Sequence, residues 1–162
     1  MSLTDTLVTR LEHAAEIGTE TDGIRVLDRH ERGELRTWAQ IRDDVAAMAG
    51  GLKARGLSSG DRVAVILPTC PEFIDIYFGA AWIGASAVAL YPPVRLGRLD
   101  EYYTRTIRMI QRSGAKMIVT DKRVQRILGP VLAETAPTLG MHLIESLPAA
   151  PIPSNSAGPD DL

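Results

Sequence analysis

The chain has 162 residues, 45% of them hydrophobic, which is enough for one domain or one large subdomain with a proper core. A formal net charge of −2 argues against a dedicated nucleic-acid binder and against generic attraction to membrane surfaces. Residues 1–5 show neither the basic nor the apolar region of a secretory signal, and the lone Cys70 excludes an intrachain disulfide and suits a reducing cytoplasm.

Ser2 and Asp5 have the spacing of a capping box. Leu3, Leu7 and Leu11, with Val8 and Ala15, mark one apolar face of a helix that should end near Gly18. Residues 23–28 (GIRVLD) and 35–37 then read as a short hairpin around Glu31-Arg32-Gly33. Thr37 and Gln40 make a second capping box, opening a helix with Ile41, Val45, Met48 and Leu52 on one stripe. Gly56 is the expected left-handed residue closing it, since a Cβ clashes in that conformation. After the Gly60-Asp61 turn, residues 62–67 (RVAVIL) form a near-continuous apolar run, the mark of a strand covered on both faces.

Pro68 ends that strand, and Pro71 opens a helix running to about Ile83. Phe73, Ile74, Tyr77, Phe78, Ala81 and Trp82 make it apolar nearly all round, so it is expected to be enclosed. Residues 86–90 are expected to be the next buried strand, ending at Tyr91-Pro92-Pro93. A loop with Arg95 and Arg98 leads to a helix over about 100–113, with Tyr103, Ile107 and Ile110 inward and Gly114 at its end. Residues 116–120 (KMIVT) are a third parallel strand. Asp121 can cap a helix with Val124, Ile127, Leu128 and Leu132 inward, and a weak strand follows near 141–144. From Leu147 the composition turns to Pro, Ser and Ala.

The alternation of strand and helix from Arg62 onward defines an α/β fold: a layered, mostly parallel sheet flanked by helices, with a small N-terminal hairpin. Residues 1–146 form the α/β subdomain and residues 147–162 a linker. The uncharged run over 76–91 is sixteen residues long, short of the ~20 needed to span a bilayer, and Gly84-Ala85-Ser86 divides it into helix and strand.

Candidate chemistry is sparse. Residues 79–86 (GAAWIGAS) have the glycine spacing of a phosphate loop, but Ala85 stands where the lysine belongs, and the run lies at a helix end. Packing glycines are the plainer reading. Cys70 sits at a helix start with no histidine beside it and Glu72 opposing a thiolate. His13, His30 and His142 lack metal-ligand spacing. Residues 95–126 hold nine basic and three acidic side chains, with Arg105, Arg108 and Arg112 on one helical face. That face is either a solvated exterior or a contact for an anionic partner or a missing part of the protein. No aromatic residue interleaves with the arginines as base stacking requires.

Thr37-Trp38-Ala39-Gln40, Gly56, Gly60-Asp61-Arg62-Val63-Ala64-Val65, Pro71-Glu72-Phe73, and Gly84-Ala85 before a strand ending in prolines, taken together in this order, resemble the N-terminal region of the adenylate-forming enzymes. Within that superfamily, Tyr91-Pro92-Pro93-Val94-Arg95-Leu96-Gly97-Arg98, Tyr102-Tyr103 and Thr120-Asp121 look most like the fatty acyl-AMP ligases. The resemblance implies activation of a fatty acid by ATP, with Mg2+, and transfer of the acyl-adenylate to an acyl carrier protein, or to CoA in the synthetase branch. It places Tyr91, Pro92, Pro93 and Arg95 in a substrate-cleft loop at the C-terminal edge of the sheet.

Gly158-Pro159-Asp160-Asp161-Leu162 resembles the lead-in to the family's phosphate loop. No residue is therefore assigned a catalytic, cofactor-binding or metal-ligating role, and the fragment alone is expected to bind no ATP or Mg2+ and to be inert; the alternative reading is a stand-alone, non-catalytic binding or interaction module. Its expected partners are the remainder of the adenylating enzyme, fatty acid, and carrier protein or CoA. Neither nucleic acid nor membrane is among them. An open sheet edge adds weak self-association.

Overall fold

In the computed structural model, residues 6–28, 30–93 and 98–147 are described. The elements in order are helix α1 (Leu7–Ile17), strands β1 (Gly23–Arg25) and β2 (Leu35–Thr37), α2 (Trp38–Ala54), β3 (Arg62–Ile66), α3 (Pro71–Trp82), β4 (Ser86–Leu90), α4 (Leu99–Ser113), β5 (Met117–Thr120), α5 (Lys122–Gln125), α6 (Gly129–Thr135) and β6 (Met141–Leu143). A single 3-10 turn, Ile144–Ser146, follows. Strands β1 and β2 pair antiparallel as the expected hairpin, and the main sheet is fully parallel in the order β4-β3-β5-β6.

Alternation along β3 creates two cores. Val63 and Val65 enter a cluster with Val8, Ile41, Leu52 and Ile76, while Ala64 and Ile66 enter another with Ile110, Leu128 and Val131. Met117 and Val119 against Ile118 repeat the division on β5. Helices α1–α3 thus cover one face of the sheet and α4–α6 the other, so both central strands are buried on both sides. Buried Thr120 donates its hydroxyl to the Ile66 carbonyl at 2.8 Å, satisfying a polar group inside the second core.

Local signals hold the elements in place. The Thr37–Gln40 capping box is formed as expected: the Gln40 N–H donates to Thr37 Oγ1 at 3.2 Å and the Thr37 N–H to Gln40 Oε1 at 2.9 Å. Gly56 follows α2 with φ 94°, allowing the Leu57 N–H to reach back to the Leu52 carbonyl. At the N-terminal edge of the sheet, Asp61 joins β3 to β5 through Lys116 Nζ at 2.5 Å. That hydrogen bond, aided by the Ser58 N–H, holds the Asp61 carboxyl below its usual range against the effect of burial.

Several expectations need correction. The first helix is capped by Thr6 and Thr9, whose backbone N–H groups and side chains exchange hydrogen bonds at 3.1 and 2.8 Å. The Ser2–Asp5 capping box lies outside the described residues. Leu7 is exposed and Val8 and Leu11 are buried, which rotates the apolar stripe from the one expected. The helix after Asp121 is two short helices, because Pro130 starts a new one; Val131 is buried and Leu132 only half-buried. The 147–162 linker falls outside the described residues except for Leu147, which is buried in the first core.

The larger correction concerns α3 and β4. Ile76, Gly79, Ala80 and Trp82 are buried, yet Phe73, Ile74 and Phe78 are only half-buried and Tyr77 is exposed. Strand β4 is half-exposed along most of its length because it is an edge strand. Among the described residues, nothing encloses the outward side of this apolar helix beside the free edge. Gly79 explains how its inward side sits so close to α2: an added Cβ would stand 3.2 Å from both the Ala49 backbone nitrogen and the Met48 side chain. Substituting Gly79→Val is expected to force these helices apart and cost ~1–3 kcal/mol, read as a lowered urea midpoint; an unchanged midpoint would show that α2 and α3 have slack.

One ion network spans three elements on this side. Arg36 of β2 donates to Asp44 of α2 at 2.6 Å, to Asp75 of α3 at 2.7 Å and to the Pro71 carbonyl at 3.3 Å. Burial works against the Arg36 charge, but the hydrogen bonds to Asp75 and Asp44 outweigh it. Burial also pushes the Asp75 carboxyl up from 3.8 to about 6, with Arg36 pulling it back and Asp44 and Glu72 adding repulsion. The folded chain holds a proton there that the unfolded chain releases earlier. Stability from this group is therefore full below the unfolded value and declines as pH rises toward about 6. Asp75→Asn is expected to flatten that decline in urea titrations across the same pH range; a slope identical to that of the parent chain would refute the assignment.

Candidate functional site at the C-terminal edge of the sheet

In parallel α/β sheets, ligands meet the carboxyl ends of the strands, where loops diverge between neighbouring strands. Here Leu90 anchors β4 in the second core, and the chain then leaves the sheet through Tyr91, Pro92 and Pro93. The prolines have no N–H to extend a ladder, so the strand must stop. Tyr91 stands 86% exposed.

Between this strand end and α4 lies a cleft of about 270 Å³. Tyr91 and Pro93 form one wall, and Arg98, Tyr102, Arg105 and Thr106 line the other. Two of the four loop residues singled out by sequence thus face a common cavity. Pro92 is half-buried and does not line it, and Arg95 lies outside the described residues. The α4 contribution was not part of the sequence expectation. Its signal was nonetheless present, since 98, 102, 105, 106 and 109 recur at the spacing of one helical face.

The cleft is mixed in character: tyrosine rings, a proline and Met109 supply apolar surface, while Arg98 and Arg105 supply positive charge beside Glu101. Arg98 Nη1 stands 3.6 Å from Glu101 Oε2, with both side chains largely exposed. Thr106 is 1% exposed, and the buried Tyr102 hydroxyl makes no hydrogen bond among the described residues. Burial raises the Tyr102 phenol above its usual range; the Thr106 hydroxyl opposes this as a hydrogen-bonding group but falls short of a formed bond. Tyr102 and Tyr103 meet edge to face with ring centroids 6.0 Å apart, which fixes the ring lining the cleft.

The other candidates resolve into structural roles. Gly79 of the phosphate-loop-like run packs α3 on α2, and Gly84 turns the chain into β4 with φ 71°. Cys70 precedes α3, but burial pushes its thiol up to about 11, with Glu72 adding to the shift, so the helix start does not activate it. His142 lies between Arg55 Nη1 at 3.3 Å and the Leu139 carbonyl at 2.7 Å. Among the described residues no three His, Cys, Asp or Glu side chains gather into a group able to hold a metal ion. No helix among them is long and apolar enough to cross a membrane.

Residues 14–160 match the family described as AMP-binding enzyme, and the chain belongs to that family. It is 31% identical over 99 residues to an acetyl-coenzyme A synthetase of Pseudoalteromonas translucida, covering 61% of this chain and 14% of that protein. It is 25% identical over 142 residues to 4-coumarate–CoA ligase 2 of Solanum tuberosum, covering 79% and 24%. Among solved structures, a chain from a study of fatty acyl-adenylate ligases of E. coli and L. pneumophila superposes with a TM-score of 0.79 at 26% identity. That superposition covers 97% of this chain and 28% of the other. The chain therefore spans about a quarter or less of the curated relatives' length and aligns with an N-terminal part of the adenylate-forming fold.

Removing the orphan hydroxyl tests the cleft's internal packing. Tyr102→Phe is expected to leave thermal stability unchanged or slightly raised, because it deletes a buried polar atom that makes no hydrogen bond. A fall of several degrees in Tm would mean that the hydroxyl has a partner.

Proposed function

We propose that this chain is the N-terminal part of a fatty acyl-AMP ligase and forms one wall of its acyl and adenylate cleft. The observation that carries the reading is the Tyr91–Pro93 strand end facing α4 at the carboxyl edge of a parallel sheet. The likeness to the fatty acyl-adenylate ligase chain, at 26% identity over nearly all of these residues, supports it. In the whole enzyme, ATP and Mg2+ would activate the fatty acid and an acyl carrier protein would receive it. Adenylation needs a carboxylate held in line with the α-phosphate and donors aimed at the phosphate oxygens. The phosphate-loop-like run over 79–86 lacks the lysine that a phosphate cradle of that kind uses. The role proposed for this part is positioning, and the part alone is expected to be inert. The single cysteine supports a cytoplasmic setting.

A second reading, acyl-CoA synthesis, is favoured by one observation: the curated relatives are CoA ligases. The two readings separate on the acceptor. With the full-length enzyme, a long-chain fatty acid, ATP and Mg2+, acyl transfer to holo carrier protein but not to CoA is expected. Efficient acyl-CoA formation would select the second reading. The 162-residue chain should give no pyrophosphate exchange, and exchange above background would overturn the positioning role.

A further inference from the structure

We propose that the outer face of α4 is a docking surface for an acidic protein segment, centred on Arg108 and Arg112 and adjoining the Tyr91 cleft. Its first support is a concentration of exposed basic groups that no ion pair uses; Lys53 and Arg62 are likewise exposed and unpaired among the described residues, but each stands singly, on α2 and β3. Arg105, Arg108 and Arg112 on α4, and Lys122, Arg123 and Arg126 around α5, are all exposed, and none forms an ion pair among the described residues. Arg105, Arg108 and Arg112 stand at i, i+3 and i+7 on one face. Like charges three and four apart destabilise a helix rather than support it. Helix stability therefore does not explain the row.

The second support is shape and chemistry. Met109 sits among these arginines, 36% exposed, as an adaptable apolar centre with a cationic rim. Beside it lies an open groove of about 520 Å³ lined by Asp100, Glu101, Thr104, Arg105, Arg108 and Met109, with its two carboxylates in the first turn of α4 and its arginines further along the helix. Arginine and methionine are the residue types enriched where proteins meet, and a groove beside them admits a side chain of the partner. The exposed row carries no aromatic ring for stacking bases, because Tyr102 and Tyr103 turn half-buried toward the second core. One methionine is too little apolar surface to insert in a bilayer. A carboxylate-bearing amphipathic helix fits all of these features.

The test uses the chain as it stands and three labelled or sedimentable probes: a Glu-rich amphipathic helical peptide, a duplex DNA, and phosphatidylserine-containing vesicles. The peptide is expected to bind with an affinity that falls as salt rises, and more tightly than either other probe. Because Arg108 and Arg112 do not line the Tyr91 cleft, the pair R108E/R112E isolates this face. It should weaken peptide binding by roughly tenfold or more, whereas R108K/R112K should retain most of it and M109A should lose part. Lys53→Glu on α2, with circular dichroism on every variant, controls for net charge and folding. Tighter binding of DNA or vesicles, no peptide binding, or a peptide affinity indifferent to R108E/R112E overturns the proposal.

Discussion

The structure depends on β3 being buried on both faces at once. Its residues alternate between two cores, so a strand of five residues fixes the distance between two helical layers. Val63 and Val65 present β-branched bulk to α1–α3, while Ala64 leaves room for α4 to approach and Ile66 fills the rest. Pairing with β4 on one side and β5 on the other then sets the register of both neighbours. The strand end of β4, and with it Tyr91, is placed by this register. A core residue of β3 thus positions the cleft without touching it.

Polar groups reinforce the frame where packing cannot. Asp61 and Lys116 join β3 to β5 at the edge opposite the cleft, and Arg36 ties the hairpin to α2 and α3 through two carboxylates. The two bridges differ in cost. Asp61 is held ionised by its partners, whereas Asp75 is buried deeply enough that charge itself is disfavoured. A buried pair of this second kind adds little net stability, because the cost of desolvation offsets much of the attraction.

Membership in the AMP-binding family gives the open features a context. Half-exposed Phe73 and Phe78, exposed Tyr77 and an uncharged edge strand SAVAL are costly on an isolated surface, since such edges invite pairing. They lie beside the strand that ends at the cleft. The chain spans a minor fraction of its relatives' length.

By itself the sequence determined the element order, the parallel α/β class, the Thr37–Gln40 cap, the turn at Gly56 and the strand end at Tyr91-Pro92-Pro93. These follow from local chemistry: hydrophobic period, capping spacing, glycine and proline backbone limits. Two of the loop residues it singled out, Tyr91 and Pro93, line the cavity beside α4. Only the tertiary structure decided that α4 supplies the opposing wall, that Asp75 is buried against Arg36, and that β4 is an edge. Strand order is not encoded in any local window, and a free edge changes the burial of every residue beside it. Apolar composition shows what a helix can bury, whereas its neighbours in space decide what it does bury.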